Sequence, residues 1–148
     1  MRTNFSFFAK NISAIFVILC IGSSCKKEKD ATCSPTVAAI AGTYKLAGLK
    51  YQQTLHSPEQ DFLALKDDCE KDDLINLQAA GTWNYIDAGM VCSPSGTDAG
   101  TWSISGSTVI SDGIVSGTIQ SFDCHSLVVY SDNLIIPGDR ITLTIVRQ

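Results

Sequence analysis

The chain has 148 residues, with 11 Lys and Arg against 15 Asp and Glu and a net charge of −4. That balance lacks the basic stripe a nucleic-acid surface needs, and it gives no electrostatic grip on anionic lipid. The length suffices for one domain with one modest core, and no internal repeat divides it.

The first 25 residues read as an export signal. Arg2 and Lys10 supply a positive start, and Ile12–Ile21 is an apolar core too short for a bilayer that needs about 20 residues. Gly22, Ser23 and Ser24 are small enough for a peptidase pocket, and Cys25 follows. The arrangement resembles the lipobox of bacterial lipoproteins, in which the cysteine becomes residue one and carries lipid. Gly22 departs from that pattern, which has a leucine-like residue there; Cys20 fits worse, because Leu19 before it is not small. The resemblance implies a signal peptide over 1–24 and a multiply acylated Cys25 anchored in the bacterial cell envelope. The outer membrane is the expected site, with the periplasmic and surface faces both open. Each buried methylene contributes ~0.8 kcal/mol, so one acyl chain holds marginally and two or more hold stably. An ordinary secretory signal cut nearby, with Cys25 incidental, is the competing reading. Residues 25–40, with Lys26–Asp30 at their start, are expected to form a solvated tether to a domain over 41–148.

Processing leaves 9 Lys and Arg against 15 Asp and Glu, and four cysteines: Cys33, Cys69, Cys92 and Cys124. An even number in a small exported domain implies two disulfides, with three pairings open. Zinc ligation would need close CxxC pairs, and the sequence has none.

The domain reads as eight short strands between turn signals: 43–51, 73–78, 82–88, 100–105, 108–111, 117–122, 127–131 and 139–147. In the first long connection, Ser57-Pro58-Glu59-Gln60 has the form of a capping box with proline at the first helical position. A helix of about two turns carrying Phe62, Leu63 and Leu65 is expected there, ending before Lys66. Ala79-Ala80-Gly81 is a three-residue hairpin loop with glycine where a positive φ is required. It pairs Leu77 with Trp83 and Ile75 with Tyr85 on one face. Gly106-Ser107 signals a type II′ turn.

An up-and-down order places both termini and the turns at 79–81, 105–107 and 123–126 at one end, here the near end. Connections 52–72, 89–99, 112–116 and 132–138 lie at the far end. Cys69 and Cys92 then flank one hairpin at the far end, almost directly opposite each other, while Cys33 and Cys124 share the near end. This strand order selects Cys69–Cys92 and Cys33–Cys124 from the three pairings.

Gly42-Thr43-Tyr44 at the first strand, the acidic run Asp67–Asp73, Ala80-Gly81-Thr82-Trp83 and Gly100-Thr101-Trp102-Ser103-Ile104-Ser105-Gly106 follow one another with spacing that resembles the lipocalin-like lipoproteins of bacterial envelopes. The resemblance covers roughly 40–148. It implies an all-β fold: a small eight-stranded antiparallel up-and-down barrel, sometimes holding an apolar ligand. Lipocalins proper open with a Gly-x-Trp whose ring a basic side chain covers from near the barrel's end. Tyr44 stands in place of that tryptophan, and Arg147 is the basic residue at the matching end.

The alternating apolar positions Tyr44, Leu46, Ile75, Leu77, Trp83, Tyr85, Trp102, Ile104, Ile119, Leu127, Val129, Leu143 and Ile145 either line a ligand cavity or fill a core; eight-stranded barrels do both. Asp67, Asp68, Glu70, Asp72 and Asp73 offer oxygen to calcium, but without the glycine and fixed spacing of a known calcium loop. A solvated loop beside a disulfide is the plainer reading. His56 and His125 belong to opposite ends, so they cannot share a metal or a proton relay. No Gly-x-Ser-x-Gly elbow occurs, and nothing singles out Asp87 and Asp98 as a glycosidase pair. The sequence gives no sign of an enzyme, of a cofactor or of an oligomer. The leading reading is a lipid-anchored envelope binding module for a small apolar ligand. The alternative is a filled barrel that presents its far-end loops to an envelope protein or glycan.

Overall fold

The computed structural model describes residues 33–113 and 116–148; the signal peptide, Cys25 and the charged run after it lie outside the described residues. Nine strands appear in chain order: β1 Gly42–Gln52, β2 Gln60–Asp61, β3 Leu74–Leu77, β4 Thr82–Ile86, β5 Ala99–Ser105, β6 Thr108–Ser111, β7 Gly117–Phe122, β8 Ser126–Asp132 and β9 Arg140–Arg147. Every pairing is antiparallel, and β1 also pairs with β9, which closes eight strands into an up-and-down barrel with β2 as an extra. All eight predicted strands are present, with ends shifted by at most two residues.

Local chemistry sets the register. Gly81 takes φ 83°, and the hairpin it turns opposes Leu77 to Trp83 and Ile75 to Tyr85, as the loop length predicts. Gly106 takes φ 60° in the two-residue turn between Ser105 and Thr108. In β1 the register shifts between Leu46 and Gly48. This bulge moves the inward alternation from even to odd positions, so Tyr44 and Leu46 face the core before it and Leu49 after it.

Two expectations need correction. The helix predicted from Ser57 does not form. Gln60 and Asp61 instead pair with Tyr51 and Lys50 as β2, and Leu63–Leu65 make one 3₁₀ turn. Past Lys45 that edge of β1 has no β3 partner, so its free backbone groups capture the passing chain. Phe62 N–H donates to Leu49 O at 2.8 Å, and the Phe62 ring stacks on Tyr51 at 4.9 Å. Asp61 Oδ1 then accepts from Leu63 N and Ala64 N, and this local turn replaces the predicted first helical turn. The capping box lies further along, within the acidic run. Glu70 accepts from Asp67 N–H at 3.1 Å and starts the short helix α2, Asp68–Lys71.

The tether also ends earlier than expected. Val37–Ile40 form a helical turn, α1, capped by Thr36, whose hydroxyl accepts from Ala39 N at 3.2 Å. Ile40 is fully buried in the core. Apolar Val37, Ile40 and Ala41 plug the near end of the barrel, where a solvated tether would leave the ends of Tyr44 and its neighbours exposed.

The interior is packed. Tyr44, Leu77, Trp102, Leu127, Val129, Leu143 and Ile145 are buried, and Leu46, Ile104 and Ile119 pack against them. Val109 and Ile141, outside the thirteen cavity-or-core positions, are buried as well.

Candidate functional site

The packing stops short of the far end. There a cavity of about 420 Å³ is lined by Ile75, Trp83 and Tyr85 below and by Lys66, Glu70, Thr97, Asp98 and Gly113 around it. All thirteen inward positions expected from the sequence lie in or against the core, and Ile75, Trp83 and Tyr85 among them also border the cavity.

Trp83 forms the floor and is held on two sides. Its Nε1–H donates to Asp112 Oδ1 at 3.1 Å, and Asp112 also accepts from Thr101 N at 2.7 Å and Thr101 Oγ1 at 3.0 Å. Gly113 lies against the indole so closely that a Cβ there would stand 2.4 Å from Trp83 Cζ2. Gly100 is equally confined, its missing Cβ falling 2.0 Å from Asp112 Oδ1. A β-carbon at either position would collide with the indole or with the carboxylate that holds it. Gly113 and Asp112 carry no signal in the sequence, because a close approach across a barrel mouth has no local spacing.

The polar side of the mouth is built from the segment preceding β3. Lys66 Nζ and Glu70 Oε1 pair at 2.6 Å. Tyr85 O–H donates to the buried Asp73 carboxylate, which also accepts from Ala88 N at 3.0 Å. Burial, and after it Asp73, push the Tyr85 hydroxyl well above its ordinary range. Asp87 accepts from Cys92 N and Gly96 N and so shapes the loop over the cavity. The disulfide Cys69–Cys92, with Cα atoms 5.3 Å apart, ties that loop to α2, and Cys33–Cys124 ties the near end at 5.5 Å. Strand order had selected these two pairings.

The acidic run does not converge on one point. Asp68 pairs with Lys71, Glu70 with Lys66, and Asp72 accepts from Met90 N, while Asp73 holds Tyr85. Asp73, Asp87 and Cys92 do approach one another, but the Cys92 sulfur is spent in the disulfide and offers no thiolate. His56 and His125 are exposed at opposite ends. The mouth combines an apolar floor, a carboxylate–ammonium rim and backbone-bound acids that shape the loops.

Among the described residues, six carboxyls sit below their ordinary range. For Asp61, Glu70 and Asp132 the leading cause is the cation bonded to each, Lys50, Lys66 and Arg140. For Asp112 and Asp123 it is a backbone N–H, of Thr101 and Ser126. Burial raises Asp139, but the amides of Ile136, Ile135 and Leu134 outweigh it. A carboxyl depressed in the folded state contributes stability above its unfolded pKa and loses it as pH falls through the folded value. The urea midpoint is therefore expected to stay level from about pH 8 to 5 and to drop steeply below about pH 4. A midpoint that stays level to about pH 3 would contradict these contacts.

Among known protein families, the lipocalin-like domain matches residues 40–144, more than half of the chain. No curated protein and no solved structure matches.

Proposed function

The chain belongs to the lipocalin-like domain family, and from that premise we propose that it is a binding module of the bacterial envelope, anchored by lipid on Cys25. In this reading it holds a small apolar ligand at the barrel mouth. The observation that carries the proposal is the cavity of about 420 Å³ over Ile75, Trp83 and Tyr85. Its size falls within the roughly 300–1,000 Å³ of ordinary ligand clefts. The filled interior beneath it limits the ligand to one that lies across the mouth, its apolar part on Trp83 and its polar part toward Lys66 and Glu70. The two disulfides suit an oxidising, extracytoplasmic compartment.

The same packed interior favours the second reading, a filled barrel that works through its far-end loops. Native mass spectrometry of the purified protein separates the two. A retained small molecule adds a discrete mass, and Gly113→Val, which drives a side chain into the Trp83 floor, is expected to abolish it. The Gly113→Val protein should stay folded, since overpacking costs about 1–3 kcal/mol. No added mass in the parent protein, together with Trp83 emission unmoved by hydrophobic probes, would favour the filled barrel.

A further inference from the structure

We propose that the far-end loop 133–139 seats on a zwitterionic lipid bilayer, placing Leu134, Ile135 and Ile136 in its interfacial layer. These three consecutive apolar side chains are 53%, 58% and 38% exposed. A loop that shows such residues to water while its own backbone stays folded needs an internal template, and Asp139 supplies one. Its carboxylate is 1% exposed and accepts from Leu134 N at 2.8 Å, Ile135 N at 3.0 Å and Ile136 N at 2.9 Å.

The other donors of the loop are also satisfied from within. Asn133 N donates to Asp139 O, Gly138 N to Asn133 Oδ1 and Asp139 N to Ile136 O, while Pro137 has no N–H. Backbone donors left without partners are heavily penalised in a lipid environment. This loop brings none, so seating its tip strands no backbone N–H. Leu55, Met90 and Val91 stand exposed on two other connections of the same end.

Charge decides the kind of surface. The four Lys and Arg of the far end are each paired: Lys50 with Asp61, Lys66 with Glu70, Lys71 with Asp68 and Arg140 with Asp132. Among the described residues every Lys and Arg of that end already has a carboxylate partner, and the surplus charge there is negative, which disfavours anionic headgroups. Side chains carried on separate loop tips also differ from a protein-docking seat, which gathers its anchors around one packed centre. A net-neutral bilayer accepts scattered tips.

The inference does not rest on the lipid on Cys25, since the described chain enters the barrel from Cys33, at the opposite end. The test uses the full chain with Cys25→Ser and phosphatidylcholine vesicles. In an Ile135→Trp variant, the emission of the new indole should shift to the blue on mixing and be quenched by brominated lipid, measured against the parent protein. Ile135→Asp should lower vesicle partitioning by ~10-fold with an unchanged near-ultraviolet dichroism spectrum, and adding phosphatidylglycerol should weaken binding further. Emission at position 135 that ignores the vesicles would overturn the proposal. So would a dimer, or a tight complex with an envelope protein, that Ile135→Asp dissolves in the absence of lipid.

Discussion

Replacing Cys33 and Cys124 together by serine is expected to lower the unfolding free energy by about 4.6 kcal/mol, read from the urea midpoint at constant m. The figure follows from the 91-residue separation the bridge closes, against 23 for Cys69–Cys92, whose removal is expected to cost about 3.5 kcal/mol. The two losses should differ in kind as well as size. The outer bridge pins the segment that leads into α1, and α1 places the fully buried Ile40 in the near end. Without it, hydrogen exchange should quicken first at the amides of Ile40 and Ala41, which bond back to Thr36 and Val37. Loss of the inner bridge should instead loosen the loop over the cavity and alter the Trp83 environment, leaving α1 protected. If both pairs of variants loosened the same end, the division of labour between the bridges would be wrong.

The bridges were legible in the sequence because strand parity depends only on counting turns. Gly81 and Gly106 mark hairpins by their conformational requirement, and each hairpin fixes its neighbours' faces; the Leu77–Trp83 register needed nothing more. The Ser57 helix failed for the complementary reason. A capping box is a local preference of about 1 kcal/mol, and the open edge of β1 offered backbone bonds and an aromatic stack that no local reading of residues 57–66 contains. The mouth was half legible. Ile75, Trp83 and Tyr85 were on the inward face, but where the packing would end depended on Gly113 and Asp112 arriving from the opposite wall. The loop around Asp139 read only as the far-end connection 132–138, because nothing local tells that the carboxylate of Asp139 folds back under Leu134–Ile136.

Arg147→Ala is expected to cost about 3 kcal/mol, the range for removing a charged group from buried hydrogen bonds. Its Nη2 donates to Ala39 O at 2.6 Å and to Tyr44 Oη at 2.8 Å, with Ile40 O and Ala41 O at 3.4 and 3.3 Å. Tyr44 O–H in turn donates to Ile40 O at 2.6 Å, and the guanidinium lies 5.4 Å from the Tyr44 ring centre. One nitrogen, Nη2, therefore gathers the carbonyls at the end of α1 and the hydroxyl of the first inward residue of β1. Lysine keeps the charge and one donor nitrogen, which is all these contacts use, but places it on a shorter, non-planar head, so Arg147→Lys should lose about half as much. Arg147→Met keeps the apolar stem and should fall between lysine and alanine. An equal loss in all three variants would mean that the carbonyl contacts contribute nothing separable from charge and packing. The location of the damage gives a second readout. Trp102 lies toward this end, its Nε1 bonded to Gln78 O at 3.0 Å, whereas Trp83 faces the mouth. Acrylamide should therefore gain access to Trp102 in Arg147→Ala while Trp83 is unaffected, because a barrel whose interior is filled admits solvent where its plug is loosened and not at the end held by Cys69–Cys92.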